Sequence, residues 1–250
     1  MMRLLLAVAS LLFVASCATN LSSTPPPGTA AEVPAPQLRP GTTWRYAVSD
    51  GFTKIPRGTV EYRVRGVEGN VVTVEVLNGT QESTELYSRD GNWLQRPATN
   101  MQMFSYSPPY RAFDFPLVAG KSWTTRSKAT DPADGRSFPV SIEGRVLGWE
   151  RIKVPAGEFD TLKVRRMVYL DYFQQGVRGQ SVIRETDWYA PALNQVVRRE
   201  TTSQYLRLAR IDRSFFLKVS DGDDHSSDDV MPRYEQDEWL VYELISYASK

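Results

Sequence analysis

The chain is poor in the residues that most site chemistry needs. It holds one cysteine, Cys17, and one histidine, His225. A Ser-His-Asp or Cys-His nucleophile would have to use that single imidazole. His225 lies in Asp221-Gly-Asp-Asp-His-Ser-Ser-Asp-Asp229, a polar loop rather than the end of a packed strand. One histidine and one cysteine do not supply the ligands of a typical zinc site. A lone cysteine also excludes an intramolecular disulfide. The carboxylates of Asp221, Asp223, Asp224, Asp228 and Asp229 are hard oxygen ligands of the kind calcium takes. No glutamate closes that loop, however, and Pro232 stands at its twelfth position, so it reads as a solvated hairpin tip. No glycine-rich phosphate loop is present. The formal net charge is only +1, without a basic stripe, which argues against nucleic acid as a partner. No cofactor and no metal are expected.

What is present begins at the N-terminus. Arg3 supplies a positive start, and Leu4 to Val14 are almost unbroken apolar. That stretch falls short of the roughly 20 residues a bilayer span requires, so residues 1–16 read as a cleaved export signal. The run Val14-Ala15-Ser16-Cys17 resembles the bacterial lipobox, and that resemblance implies that Cys17 is acylated, palmitate among its chains, and becomes the mature N-terminus. Several acyl chains on one residue give stable anchoring where one would be marginal. Ala18 rather than aspartate follows, which favours the outer membrane, facing the periplasm. Residues 17–40, with Pro25-Pro26-Pro27 and Val33-Pro-Ala-Pro, carry little charge and few large apolar groups. They are expected to form a disordered, extended tether of up to roughly 70 Å.

Residues 41–250 are expected to form a single all-β domain. Val60, Tyr62 and Val64 alternate with Glu61, Arg63 and Arg65, and Val72, Val74 and Val76 alternate with polar residues. Phe138, Val140 and Ile142 repeat the pattern, while Leu162, Val164 and Val168 share one parity. Such period-two runs, broken by turns such as Asp90-Gly91 and Pro155-Ala156-Gly157, predict antiparallel strands. The expected architecture is a sandwich, a barrel or half-barrel, or a strongly curved sheet. Two similar β-meanders, roughly 41–110 and 120–200, are a further expectation. Gly41-Thr-Thr-Trp44 matches Gly120-Lys-Ser-Trp123, each some 20 residues before a strand ending in glycine, Gly66 or Gly144. Thr84-Glu-Leu-Tyr87 matches Thr186-Asp-Trp-Tyr189, each followed by an arginine-bearing strand, at Arg96 or Arg198.

Three segments in order, Phe115-Pro-Leu-Val-Ala-Gly-Lys-Ser-Trp123, Val154-Pro-Ala-Gly-Glu-Phe-Asp160 and Asp187-Trp-Tyr-Ala-Pro191, resemble an uncharacterised family of bacterial exported proteins and lipoproteins. The resemblance implies a periplasmic curved β-sheet and no particular activity.

The densest aromatic stretch is Met101-Gln-Met-Phe-Ser-Tyr-Ser-Pro-Pro-Tyr-Arg-Ala-Phe-Asp-Phe115. Met101, Met103, Phe104, Tyr106 and Phe113 are its candidate apolar-ligand contacts, since soft side chains suit adaptable binding surfaces. The bland alternative is that they plug an end of the core. Trp239 to Tyr247 is apolar on both parities apart from Glu243 and Ser246, which suits an interior strand, or else an edge strand covered by a partner. Taken together, these features predict a non-catalytic, lipid-anchored envelope module, holding an apolar ligand or an envelope protein. The rival reading is a carboxylate-based hydrolase acting on envelope polysaccharide, with no pair of acids singled out by the sequence.

Overall fold

In a computed structural model, the chain is described at residues 21–97, 102–174, 177–207 and 233–249. Cys17, Met101, His225 and the acidic loop 221–229 lie outside the described residues. The strands are β1 (Thr43–Asp50), β2 (Pro56–Glu68), β3 (Val71–Asn78), β4 (Gln81–Ser88), β5 (Trp93–Pro97) and β6 (Met103–Tyr110). They continue as β7 (Ser122–Thr130), β8 (Ser137–Val154), β9 (Gly157–Gln174), β10 (Val177–Ala190), β11 (Gln195–Arg207) and β12 (Arg233–Ala248). Each pairs antiparallel with its sequence neighbours, and β12 returns to β1, so the sheet closes into a twelve-stranded barrel. Of the expected alternatives the barrel is the one observed, and closure sets aside the half-barrel and the sandwich. β12 is the interior strand its apolar pattern predicts, seated between β11 and β1, and its pairing removes the open edge a half-barrel would expose.

The alternating side chains sort cleanly. Val60, Tyr62, Val64, Val140, Ile142, Val164 and Val168 are buried. Their neighbours Arg63, Arg65, Arg126, Lys128, Glu143, Arg145 and Arg165 are exposed on the outer wall. A membrane-spanning barrel shows the reverse, an apolar band facing lipid. The wall of this barrel therefore turns its apolar face inward and its charged face outward.

The sheet divides into consecutive six-stranded halves, β1–β6 and β7–β12. The first expected meander, 41–110, covers the first half, and the second, 120–200, covers β7–β10 and the start of β11. Trp44 and Trp123 are the second residues of β1 and β7. Gly41 and Gly120 both adopt positive φ, 85° and 87°, and donate to Val64 and Val146 respectively, each at 2.9 Å. The register then shifts between Val64 and Gly66 in one half and between Val146 and Gly148 in the other. Gly148, not Gly144, is thus the counterpart of Gly66. Gly144 sits mid-strand opposite Trp123, where an added Cβ would lie 2.1 Å from the indole.

The barrel ends differ. One is filled by the β6–β7 connection together with residues 33–38. Val33 and Leu117 exchange backbone hydrogen bonds (3.0 and 2.8 Å), and both side chains are fully buried. Upstream, Ser22 pairs with Trp149 in the same way, at 2.9 and 2.7 Å. The expected free tether over 17–40 is therefore corrected from residue 22 on. Composition alone hides this, because Val33, Pro36 and Leu38 each find a slot in an already closed wall.

Candidate functional site: a charged floor in the barrel lumen

Strands of eight-stranded barrels can fill their interior with side chains, and twelve leave room. A cavity of about 700 Å³ runs inside the barrel to the rim residues Arg57, Asn78, Gln81 and Glu238. Its wall carries Val48, Val60, Val76, Leu240 and Tyr242. Its floor is charged: Arg96, Arg199, Glu85 and Glu185 line it beside Trp93.

The charges are organised by strand pairing. Arg166 on β9 is fully buried and donates from Nε to Glu185 (2.8 Å), from Nη2 to Asp187 (2.6 Å) and from Nη1 to the Ala112 carbonyl (2.9 Å). Arg199 donates from Nε to the other Asp187 oxygen at 2.6 Å. Arg96 faces Glu85 at 3.4 Å, and Glu85 also accepts the Tyr87 hydroxyl. Glu185 accepts the Tyr110 hydroxyl at 2.8 Å. Trp93 is the hub. The guanidiniums of Arg96, Arg166 and Arg199 stand 4.2, 5.7 and 5.7 Å from its ring, and Tyr110 stacks on it at 4.2 Å.

The repeat extends into this floor. Glu85–Arg96 joins the fourth and fifth strands of the first half, and Asp187–Arg199 joins those of the second. Arg199, not Arg198, is therefore the counterpart of Arg96. Both halves shift register here, between Leu86 and Tyr87 and between Trp188 and Tyr189. Tyr189, however, faces Val196 across a turn one residue longer than the one by which Tyr87 faces Trp93, so Asp187 meets Arg199 while Arg198 pairs with Glu200 and Glu243.

Burial alone would raise the Asp187 carboxyl, but the charges of Arg199 and Arg166 outweigh it and hold the carboxyl below the usual range. A glycosidase acid must instead keep its proton near neutrality. At the rim, partial burial and the neighbouring Asp237 push Glu238 up. Burial also raises the phenols of Tyr46, Tyr62 and Tyr106 well above their ordinary value. Their neutral forms are favoured in the folded state, so their contribution is complete below the unfolded pKa of about 10 and is lost as pH rises beyond it. Unfolding free energy measured against pH should accordingly fall steeply above about pH 10, together with the appearance of phenolate absorbance. Ionisation of these three buried phenols without loss of structure would contradict this.

The candidate contacts from the sequence are split by the fold. Met103 lines the cavity near its rim. Phe104 and Tyr106 are buried in the wall, Phe104 edge-on to Phe138 at 6.1 Å. Phe113 packs in the closed end between Phe115 and Tyr189, at 5.6 and 5.7 Å. Met101 falls outside the described residues. The shared motifs have local roles as well. Lys121 donates to the carbonyls of Asp114 and Pro116 (2.5 and 2.9 Å), and Trp123 donates to that of Arg111 (3.1 Å), so both clamp the β6–β7 connection. Pro155-Ala156 is the β8–β9 turn, flanked by the bidentate pair Arg151–Asp160. Asp187 belongs to the lumen floor.

No protein-family model and no curated protein sequence matches the chain. Three solved structures are similar in fold. A Parabacteroides distasonis protein provisionally named a lipoprotein shares 16% identity over 88% of this chain and 100% of its own, with a TM-score of 0.49. A Bacteroides fragilis protein provisionally named exported, with a YmcC-like fold, shares 12% over 87% and 100%, at 0.46. The hypothetical lipoprotein YmcC of Escherichia coli shares 12% over 86% and 88%, at 0.42. At these values the likenesses assign neither a ligand nor an activity.

Proposed function

We propose that the protein is a lipid-anchored module of the bacterial cell envelope, held at the outer membrane through Cys17, that binds an apolar ligand inside its barrel. The observation that carries the reading is the cavity of about 700 Å³ with an apolar wall, closed at one end. Its size falls within the roughly 300–1,000 Å³ of small-molecule sites, and a few polar groups at the floor suit orientation of a ligand. Binding rather than hydrolysis is favoured because Glu85, Glu185 and Asp187 are all engaged by arginines.

The test is mass spectrometry of organic extracts from protein purified out of its own membranes. Roughly one apolar molecule per chain is expected, and its loss from Val76→Trp, which sets an indole into the lumen. Equal recovery from both proteins would place the ligand elsewhere. Anchoring is tested separately. Cys17→Ser should abolish acyl labelling and leave the protein unprocessed or released from the membrane fraction, motivated by Val14-Ala15-Ser16-Cys17. Normal labelling and retention in that variant would remove the lipobox reading.

A further inference from the structure

We infer that the lumen selects an anionic amphiphile, with one acyl chain along the apolar wall and a carboxylate or phosphate head group on Arg96 and Arg199. This rests on the lumen-binding reading and adds the head-group chemistry to it.

A guanidinium presents five N–H donors on three nitrogens. All three nitrogens of Arg166 are engaged and its side chain is 0% exposed, so it is a closed node. Arg199 engages Nε and Nη2 with Asp187, and its Nη1 makes no hydrogen bond among the described residues. Arg96 has Glu85 at 3.4 Å as an ion pair and Trp93 beneath it, with no hydrogen bond among the described residues. Both side chains keep some exposure, 13% for Arg96 and 15% for Arg199, and both line the cavity. Glu85 and Glu185 already accept a tyrosine hydroxyl each, and Asp187 is held from both sides. The charged donors left facing the cavity floor are thus Arg96 and Arg199, beside the neutral hydroxyls of Tyr62, Tyr242 and Thr201, and they meet an apolar wall formed by Val48, Val60, Val76 and Leu240. Charge-assisted bonds from a planar fork favour a carboxylate or phosphate over a neutral hydroxyl.

Titration calorimetry on the chain from Ala18 onward, which contains every described residue, compares decanoate, 1-decanol and acetate. Decanoate should bind about tenfold to a hundredfold more tightly than 1-decanol, and acetate should not displace it. Arg96→Gln should erase the preference for decanoate while leaving the affinity for 1-decanol in place, which also reports that the variant is folded. Equal affinities of acid and alcohol in the unaltered chain would overturn the head-group assignment and leave the lumen reading standing. Acetate competing as well as decanoate would overturn the acyl-chain part. A preference that survives Arg96→Gln would overturn the role given to Arg96. Binding of neither amphiphile would overturn both readings.

Discussion

Arg166→Met should lower the free energy of unfolding by about 3–5 kcal/mol. The loss does not measure the intrinsic strength of its ion pairs, since burying two charges costs nearly as much as their attraction returns. It arises because the substitution strands Glu185 and part of Asp187 in a dry interior, along with the Ala112 carbonyl. Denaturant unfolding at neutral pH measures it. The pH dependence separates this cause from lost packing. In the native protein Asp187 is held low, so its contribution is present above the unfolded pKa of about 3.9 and disappears as pH falls through the lower folded value. In Arg166→Met the stranded carboxyls should take up protons more readily, since burial without a partner disfavours their charge. The deficit should therefore shrink as pH falls through the carboxylate range. A deficit independent of pH would point to packing instead. Adding Glu185→Gln should recover part of the loss, as the two residues share one network.

Phe113→Ala should cost about 3–5 kcal/mol and visibly lower the unfolding midpoint. The ring is 6% exposed and touches Phe115, Tyr189 and the Arg166 guanidinium, the last at 5.2 Å. Its backbone N–H donates to Asn92 Oδ1 at 2.9 Å, which fixes the residue over the closed end. Truncation leaves a void beside a buried charge network that has little freedom to collapse. A change of no more than about 0.5 kcal/mol would mean the ring behaves as an exposed lip. Such a result, with ligand retention lost, would make Phe113 a contact residue.

Much of the wall was legible as period two. Val60 to Val76 and Phe138 to Val168 place their apolar side chains inward as the alternation requires. The choice among barrel, sandwich and open curved sheet was not legible, because alternation fixes which face a side chain occupies and not how far a sheet curls. The floor left a faint trace in the same pattern. Leu162, Val164 and Val168 share parity, and position 166 between them is an arginine. An arginine at an inward position flanked by valines signals a buried polar site. Its partners Glu185 and Asp187 sit two apart on β10, on the same face. Pairing across strands could not be read without the register, and the β10–β11 turn, one residue longer than its β4–β5 counterpart, moves the match from Arg198 to Arg199. The aromatic stretch was conspicuous by composition, yet composition does not separate Met103 on the cavity from Phe113 in the closed end.

The pairing of Ser22 with Trp149 sets a leash length. Only five residue steps separate Cys17 from Ser22, at most roughly 17 Å of fully extended chain. Were Cys17 lipidated as proposed, the domain would be moored against the bilayer rather than ranging tens of ångströms from it. The same moored segment continues through Val33 into the closed end of the barrel. The cavity rim, formed by Arg57, Asn78 and Glu238, belongs to the other end. Cargo would then enter from the compartment and not by sliding directly out of the leaflet that holds the anchor.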